Sequence, residues 1–243
     1  GGPRGAGGDS GGGRERPPAG SDSRTATDSH GRGEGDLRVL LGGDTEAAAR
    51  ALIGHTLVRV GPDGLRREGR IIETEAYTGD DPSSHSYRGR SARNASMFEQ
   101  AGTAYVYLIY GIHHCLNVVT RASGTGEAVL IRAVEPTRGI AAMAKARGIA
   151  GAPEEPSAKT VRRLCSGPGK LCEALGIDMT FDGADLLSPS SPLYIDTQAG
   201  RSTGCIVSTT RVGISRARNI PRRFLEAENR FVSRPANDHG HDA

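Results

Sequence analysis

Residues 103–120 read TAYVYLIYGIHHCLNVVT, two runs rich in β-branched and aromatic residues on either side of Gly111. Such runs, broken by one residue free to take positive φ, are the pattern of a β-hairpin with Tyr110 and Gly111 at its tip. Successive strand side chains point to opposite faces, so Tyr105 and Tyr107 share one face of the first arm. Upstream, HTLVRV (55–60), the turn signal GPDG (61–64) and LRREGRIIETEAY (65–77) predict another hairpin, whose second arm ends near Tyr77. EAVLIRAVEP (127–136) and TGCIVSTTRVGIS (203–215) read as further strands. Asp44 is placed to cap a helix over TEAAARALI (45–53), with Gly54 behind it as a stop. Helices are also expected over TRGIAAMAKARG (137–148) and parts of PSAKTVRRL (156–164) and KLCEALG (170–176). The order is mixed α/β (α+β), without an internal repeat. Residues 78–96 are polar and rich in Gly, Pro and Ser, a long loop; such loops inside compact domains are uncommon and often functional.

The chain has 243 residues and is only 36% apolar, but the dilution is uneven. Residues 1–35 hold twelve Gly, no large apolar residue, and five Arg against five acidic groups. Such a segment buries too little surface to offset its ordering entropy, so it is expected to be a disordered tail. Residues 236–243 are expected to be a second one, leaving a single folded domain over 36–235. The tail lacks the apolar core of a secretory signal, and no later stretch approaches a membrane span. We therefore expect a cytoplasmic protein, nucleoid-associated in a bacterium, with Cys115, Cys165, Cys172 and Cys205 as reduced thiols. Basic charge is clustered: residues 211–234 carry seven Arg against Glu226 and Glu228, and residues 136–172 have a balance of +5. Such surface attracts phosphate backbones, although charge runs are often just solvated faces.

Five of the six tyrosines lie between residues 77 and 110, beside Glu73, Glu75 and His85. Flat amphipathic rings next to a carboxylate and an imidazole suit stacking of a planar ligand with acid or base chemistry; a tyrosine-rich β core is the alternative. Glu73, Glu75 and Tyr77 alternate along one strand and share a face, while Thr74 faces the other way. Tyr110, at a tip with few core partners, is either a wedge for insertion between stacked bases or an ordinary exposed turn residue. Two other signals are set aside. SGPGKL (166–171) lacks the glycine spacing and terminal hydroxyl residue of a phosphate loop and reads as a turn opening a helix. Neighbouring His113 and His114 point to opposite faces of a strand and do not make a metal site. No metal or cofactor is expected.

Taken in order, ETEAY (73–77), His85, R-N-x-x-M-F (93–98), G-T-x-Y-V-Y-L-I-Y-G (102–111), C-x-N (115–117), VLIRAVEP (129–136), LCSGPGKLCEALGI (164–177) and RVGIS (211–215) resemble the alkyladenine (3-methyladenine) DNA glycosylase family. The resemblance runs from about residue 40 to 233. It implies a single domain with a curved, largely antiparallel sheet, flanking helices and a projecting, DNA-inserting β-hairpin. It implies a base-excision-repair enzyme that flips damaged purines out of duplex DNA and hydrolyses the N-glycosidic bond. Glu75 would be the general base for the attacking water, with Arg132 and the Val212 carbonyl helping to hold it. Tyr77 and Tyr107 would sandwich the base, His85 would touch its edge, and Asn117 on the floor would disfavour guanine. Tyr110, with Ile112 beside it, would fill the gap in the duplex. The chain departs from the family pattern at His113 and in PRRFLEAENRFVS (221–233), which lacks an expected Gly and Trp.

The residue chemistry is consistent with this. Extrusion of a base costs a few kcal/mol, less for damaged bases. Stacking on aromatic rings returns about 1–3 kcal/mol per base, and a cationic purine gains cation–π attraction as well. Residues 71–132 contain no Lys, so no Schiff-base nucleophile is at hand and a monofunctional, water-using enzyme is expected. The expected partner is double-stranded DNA with damaged purines, bound by a monomer without membrane association. A silent nucleic-acid-binding module is disfavoured by Glu75, since a carboxylate facing DNA gains a pure binder nothing. A formyltransferase-like small-ligand protein is disfavoured by the wedge tyrosine and the basic segments. Nothing in the sequence separates 3-methyladenine from hypoxanthine or ethenoadenine as the lesion.

Overall fold

A computed structural model describes residues 1–2, 36–62, 64–149, 156–197 and 204–236. The two expected tails, apart from residues 1, 2 and 236, lie outside the described residues. A short helix α1 (residues 36–41) leads into α2 (Thr45–Leu52). Asp44 caps α2 by accepting the Ala47 N–H at 2.8 Å, one of the donors a helix start leaves free. Strands β1 (Thr56–Val60) and β2 (Arg66–Tyr77) form one hairpin, and β3 (Ala104–Ile109) and β4 (His113–Thr120) another. β5 (Glu127–Arg138) joins the two hairpins by pairing with both β2 and β4. Helices α3 (Ile140–Ala146), α4 (Ala158–Leu164) and α5 (Pro168–Leu175) follow, then short strands β6 (Leu193–Asp196), β7 (Ile206–Thr209) and β8 (Arg223–Glu226).

Every pairing is antiparallel, and the sheet, ordered β3-β4-β5-β2-β1-β6, curls into a half-barrel. β2 serves two neighbours along one edge: Arg66–Arg70 pairs with β1, and Glu73–Glu75 pairs with β8, which carries β7. Two expectations need correction. The strand expected over 203–215 is confined to Ile206–Thr209, because beyond it the chain turns to bring the Val212 amide to Glu75. The long polar loop ends in a 3-10 helix, Ala92–Phe98, whose Ser91 and Asn94 satisfy each other's backbone and side chain at its start.

Two opposed bulges explain how one sheet carries both a core and a site. Ile71 faces Val134 and Glu73 faces Ala133, so Ile72 is an extra residue on β2; Thr74 then faces Ile131, so Arg132 is extra on β5. An inserted residue flips which alternate side chains point inward. Before the β2 bulge Ile71 enters the main core; after it, Glu73, Glu75 and Tyr77 turn away while Thr74 donates to the Ala49 carbonyl of α2 at 2.8 Å. In β3–β5 the division is alternate. Val106, Leu116, Val118, Val129 and Ile131 pack with α2 and α5 residues such as Leu52, Leu171 and Leu175, whereas Tyr105, Tyr107, Cys115, Asn117, Leu130 and Arg132 line a cavity.

The β3–β4 connection, residues 110–112, holds a turn closed by the Ile112 N–H on the Ile109 carbonyl at 3.2 Å, with positive φ at both of its central residues, Tyr110 (54°) and Gly111 (72°). Positive φ at both positions is the primed turn whose twist matches a hairpin, and it normally takes Asn or Gly first. Tyr110 and Ile112 at this tip are 82% and 71% exposed.

Candidate active site

The cavity, about 500 Å³, is walled by Tyr77, His85, Tyr105, Tyr107, Asn117, Arg132 and Val212, with Tyr110 and His113 at the hairpin side. α5 closes another side through Pro168 and Gly169. The approach there is close: a Cβ on Gly169 would lie 3.1 Å from the His113 side chain, tighter than an ordinary contact, so any larger residue would require His113 to give way. The SGPGKL turn thus opens a helix as expected, and shapes the site as well.

The aromatic wall is a connected set. Tyr105 and Tyr107 lie 5.4 Å apart, and His85 meets Tyr107 edge-on at 4.4 Å while its Nδ1 is 2.7 Å from the Tyr105 hydroxyl. Burial of the ring, with Arg93 nearby, lowers the His85 pKa and favours the neutral imidazole. Asn94, buried under the loop, donates to the carbonyls of His85 (2.9 Å) and Gly89 (3.1 Å), which fixes the segment that presents the imidazole. Asn117 donates to the Tyr105 carbonyl at 2.9 Å from the floor. The Tyr107 hydroxyl bonds the Cys115 thiol; burial first, then these neighbours, holds the phenol well above its ordinary pKa.

Behind the wall formed by Tyr77, Arg132 and Val212 lies Glu75, with no exposed surface. Its Oε1 accepts the Val212 N–H at 2.8 Å; its Oε2 accepts the Tyr77 hydroxyl at 2.9 Å and lies 3.3 Å from Arg132 Nη1. Burial, then the charge and hydrogen bond of Glu75, raises the Tyr77 pKa, so this hydroxyl stays a donor. Burial disfavours the charged Arg132 guanidinium, but Glu75 and Glu73 outweigh it and hold its pKa above the ordinary value. On its other face Tyr77 carries the Arg211 guanidinium, 4.7 Å from the ring centre, and Arg211 pairs with buried Asp81.

The structure therefore brings Glu75, Tyr77, His85, Tyr107, Asn117, Arg132 and Val212 together around one cavity, and leaves Tyr110 and Ile112 at the tip beside it. Val212 donates its N–H to Glu75, a bond separate from the water-holding role that the resemblance implies for its carbonyl. The supporting residues Asp81, Asn94, Arg211, Arg223 and Ser233 went unseen in the sequence. Only RN in R-N-x-x-M-F and the arginine of RVGIS hinted at any of them; the pairings of Arg211 with Asp81 and of Arg223 and Ser233 with Glu73 span more than 100 positions and leave no local pattern.

Sequence comparison gives the class of protein to which this fold and cavity belong, a DNA glycosylase of base excision repair, monofunctional and hydrolytic. Residues 40–230 match the family model described as methylpurine-DNA glycosylase, and the chain belongs to that family. A curated protein of Methanoculleus marisnigri, provisionally named 3-methyladenine DNA glycosylase, is 44% identical over 198 residues, 79% of this chain and 94% of that protein. A protein of Francisella tularensis subsp. tularensis with the same provisional name is 42% identical over 200 residues, covering 82% of this chain and 98% of its own. A Rhodopseudomonas palustris protein, named alike, is 46% identical over 187 residues, 77% and 84% of the two chains.

Proposed function

We propose that this protein binds duplex DNA as a monomer, flips a damaged purine into the tyrosine-lined cavity and hydrolyses its glycosidic bond with Glu75 as general base. One observation carries the reading: a fully buried carboxylate directly behind the cavity wall, touched by the three wall residues Tyr77, Arg132 and Val212. The extruded base stacks between Tyr77 and Tyr107, with His85 at its edge and Asn117 below, excluding guanine's exocyclic amine. The attacking water takes the hydrogen-bonding position beside Oε2 that the Tyr77 hydroxyl holds, as stacking turns that hydroxyl aside. Arg132 and the Val212 carbonyl steady the water. An electron-poor alkylated purine is a good leaving group, so one carboxylate and one placed water suffice. Tyr110 and Ile112 fill the duplex. Residues 36–235 act as the catalytic domain in the cytoplasm, at the nucleoid in a bacterium. Among the described residues no helix is long and apolar enough to cross a membrane. Duplexes carrying one 3-methyladenine analogue, hypoxanthine or ethenoadenine, incubated with the protein and cleaved by alkali, test the reading; strand scission at none of them defeats it.

His85 supplies a pH test. Neutral imidazole accepts or donates at a base edge, whereas imidazolium repels a cationic purine. Because the His85 pKa is lowered, protonation sets in below the ordinary value of about 6.5. Excision of a cationic lesion should fall as pH drops through that range, and His85→Gln should lack this limb. An unchanged acid limb in the variant removes His85 from base contact.

Salt tests the DNA footprint. Affinity for undamaged duplex should fall linearly in log–log form, with a slope near about −0.9 per phosphate neutralised. Removing residues 1–35, which carry balanced charge, should leave that slope unchanged. A large loss of slope on deletion moves the footprint into the tail.

A further inference from the structure

Glu73 has no part in the reaction above, yet it is fully buried beside it. Its Oε1 accepts from Arg132 Nε (3.1 Å), Arg223 Nε (2.7 Å) and the Ser233 hydroxyl (2.7 Å), and its Oε2 accepts the Ser233 N–H (2.5 Å). Arg132 is thus divided: Nε goes to Glu73, Nη2 lies 3.4 Å from the Ser233 hydroxyl, and Nη1 alone reaches Glu75 at 3.3 Å. Arg223, Glu73, Arg132 and Glu75 form a buried chain of alternating charge with no net excess.

We infer that Glu73 is a positioning residue, which holds Arg132 so that it touches the catalytic carboxylate through a single nitrogen. This rests on the reading of Glu75 as base. A buried guanidinium with one carboxylate partner settles into a two-pronged pair that occupies both oxygens. Arg132 now approaches only Oε2, from one nitrogen; a two-pronged pair at Glu75 would take the remaining lone pairs that must receive the water's proton. Glu73 prevents this by drawing the Nε edge of Arg132 away. Arg223 and Ser233 pin Glu73 in turn, and both come from PRRFLEAENRFVS, the segment in which this chain departs from the family pattern. That segment therefore sets the site's electrostatics, 148 or more positions along the chain from Glu75.

The test compares Glu73→Gln with the double variant Glu73→Gln/Arg223→Met, which removes one cation with the lost anion and restores charge balance. Single-turnover excision, lesion-duplex affinity and thermal melting are read for both, with Ser233→Ala as a milder variant should Glu73→Gln not fold. Excision is expected to fall about 10²-fold, the loss typical of a misplaced catalytic group. Affinity for the lesion duplex should stay unchanged, so that the loss falls on the rate of the bound complex and not on binding. The double variant should melt near wild type and remain slow; Ser233→Ala should slow excision by less, again without loss of affinity. Recovery of rate together with melting point in the double variant, or loss of affinity in step with rate throughout, would make the network merely structural. If Glu75→Gln is inactive while the Glu73 variants behave as wild type, this inference alone fails. If Glu75→Gln excises normally, the base assignment fails first.

Discussion

Glu75→Gln should bind a lesion-containing duplex about as well as wild type and excise the base at least 10²-fold to about 10⁴-fold more slowly, the range a positioned general base supplies. The amide keeps the carboxylate's shape, and its oxygen still accepts the Val212 N–H now held at 2.8 Å. What it loses is the ability to take a proton from water, and that loss falls on the transition state, not on ground-state binding. The substitution also has a structural cost. The new NH₂ would face the Arg132 guanidinium, 3.3 Å from Oε2 and without any acceptor. A lowered melting point is therefore expected, and binding and single-turnover rates should be read well below it. Excision at near wild-type rates by the folded variant would remove Glu75 from the chemistry. Loss of binding in step with loss of rate would make it a structural support for Arg132.

The hairpins, the helix caps and most of the cavity residues were legible because they depend on local pattern. Alternation placed Tyr105 with Tyr107, the Tyr110–Gly111 break marked a tip, and Asp44 marked a helix start. The bulges at Ile72 and Arg132 were not legible, since an inserted residue shows only in the pairing of β2 with β5. Without them, strict alternation from Ile71 would carry Glu73 and Glu75 into the main core, a costly place for two carboxylates. The sequence hint was the carboxylates themselves in an apolar strand, which the family resemblance turned into a site. Strands β6 and β8 escaped because each is only four residues long, too short for alternation to stand out. β8 nevertheless matters most to the chemistry after β2 and β5, for Arg223 stands opposite Glu75 in its register and bonds Glu73.

The turn at Tyr110 allows function to be separated from stability in one substitution. Tyrosine is a poor choice for the first position of a primed turn: a bulky side chain at φ 54° is strained, and at 82% exposure the ring gains little burial in return. Asn accepts that conformation readily, so Tyr110→Asn should melt at or above the wild-type temperature. Strain kept against local preference points to a role for the ring outside the fold. If the ring fills the space of the extruded nucleotide, its removal lets the nucleotide restack, and fewer complexes hold the base in the cavity. Unstacking costs a few kcal/mol, so single-turnover excision from a stably paired lesion should fall by about 10-fold to 10²-fold. A mispaired or single-stranded lesion, already less stacked, should lose much less. Ile112→Ser, beside it at the tip, should show the same substrate dependence more weakly. Equal loss on paired and mispaired substrates would deny the wedge, and a collapse of the melting point in Tyr110→Asn would show that the ring is held by contacts the turn geometry does not reveal.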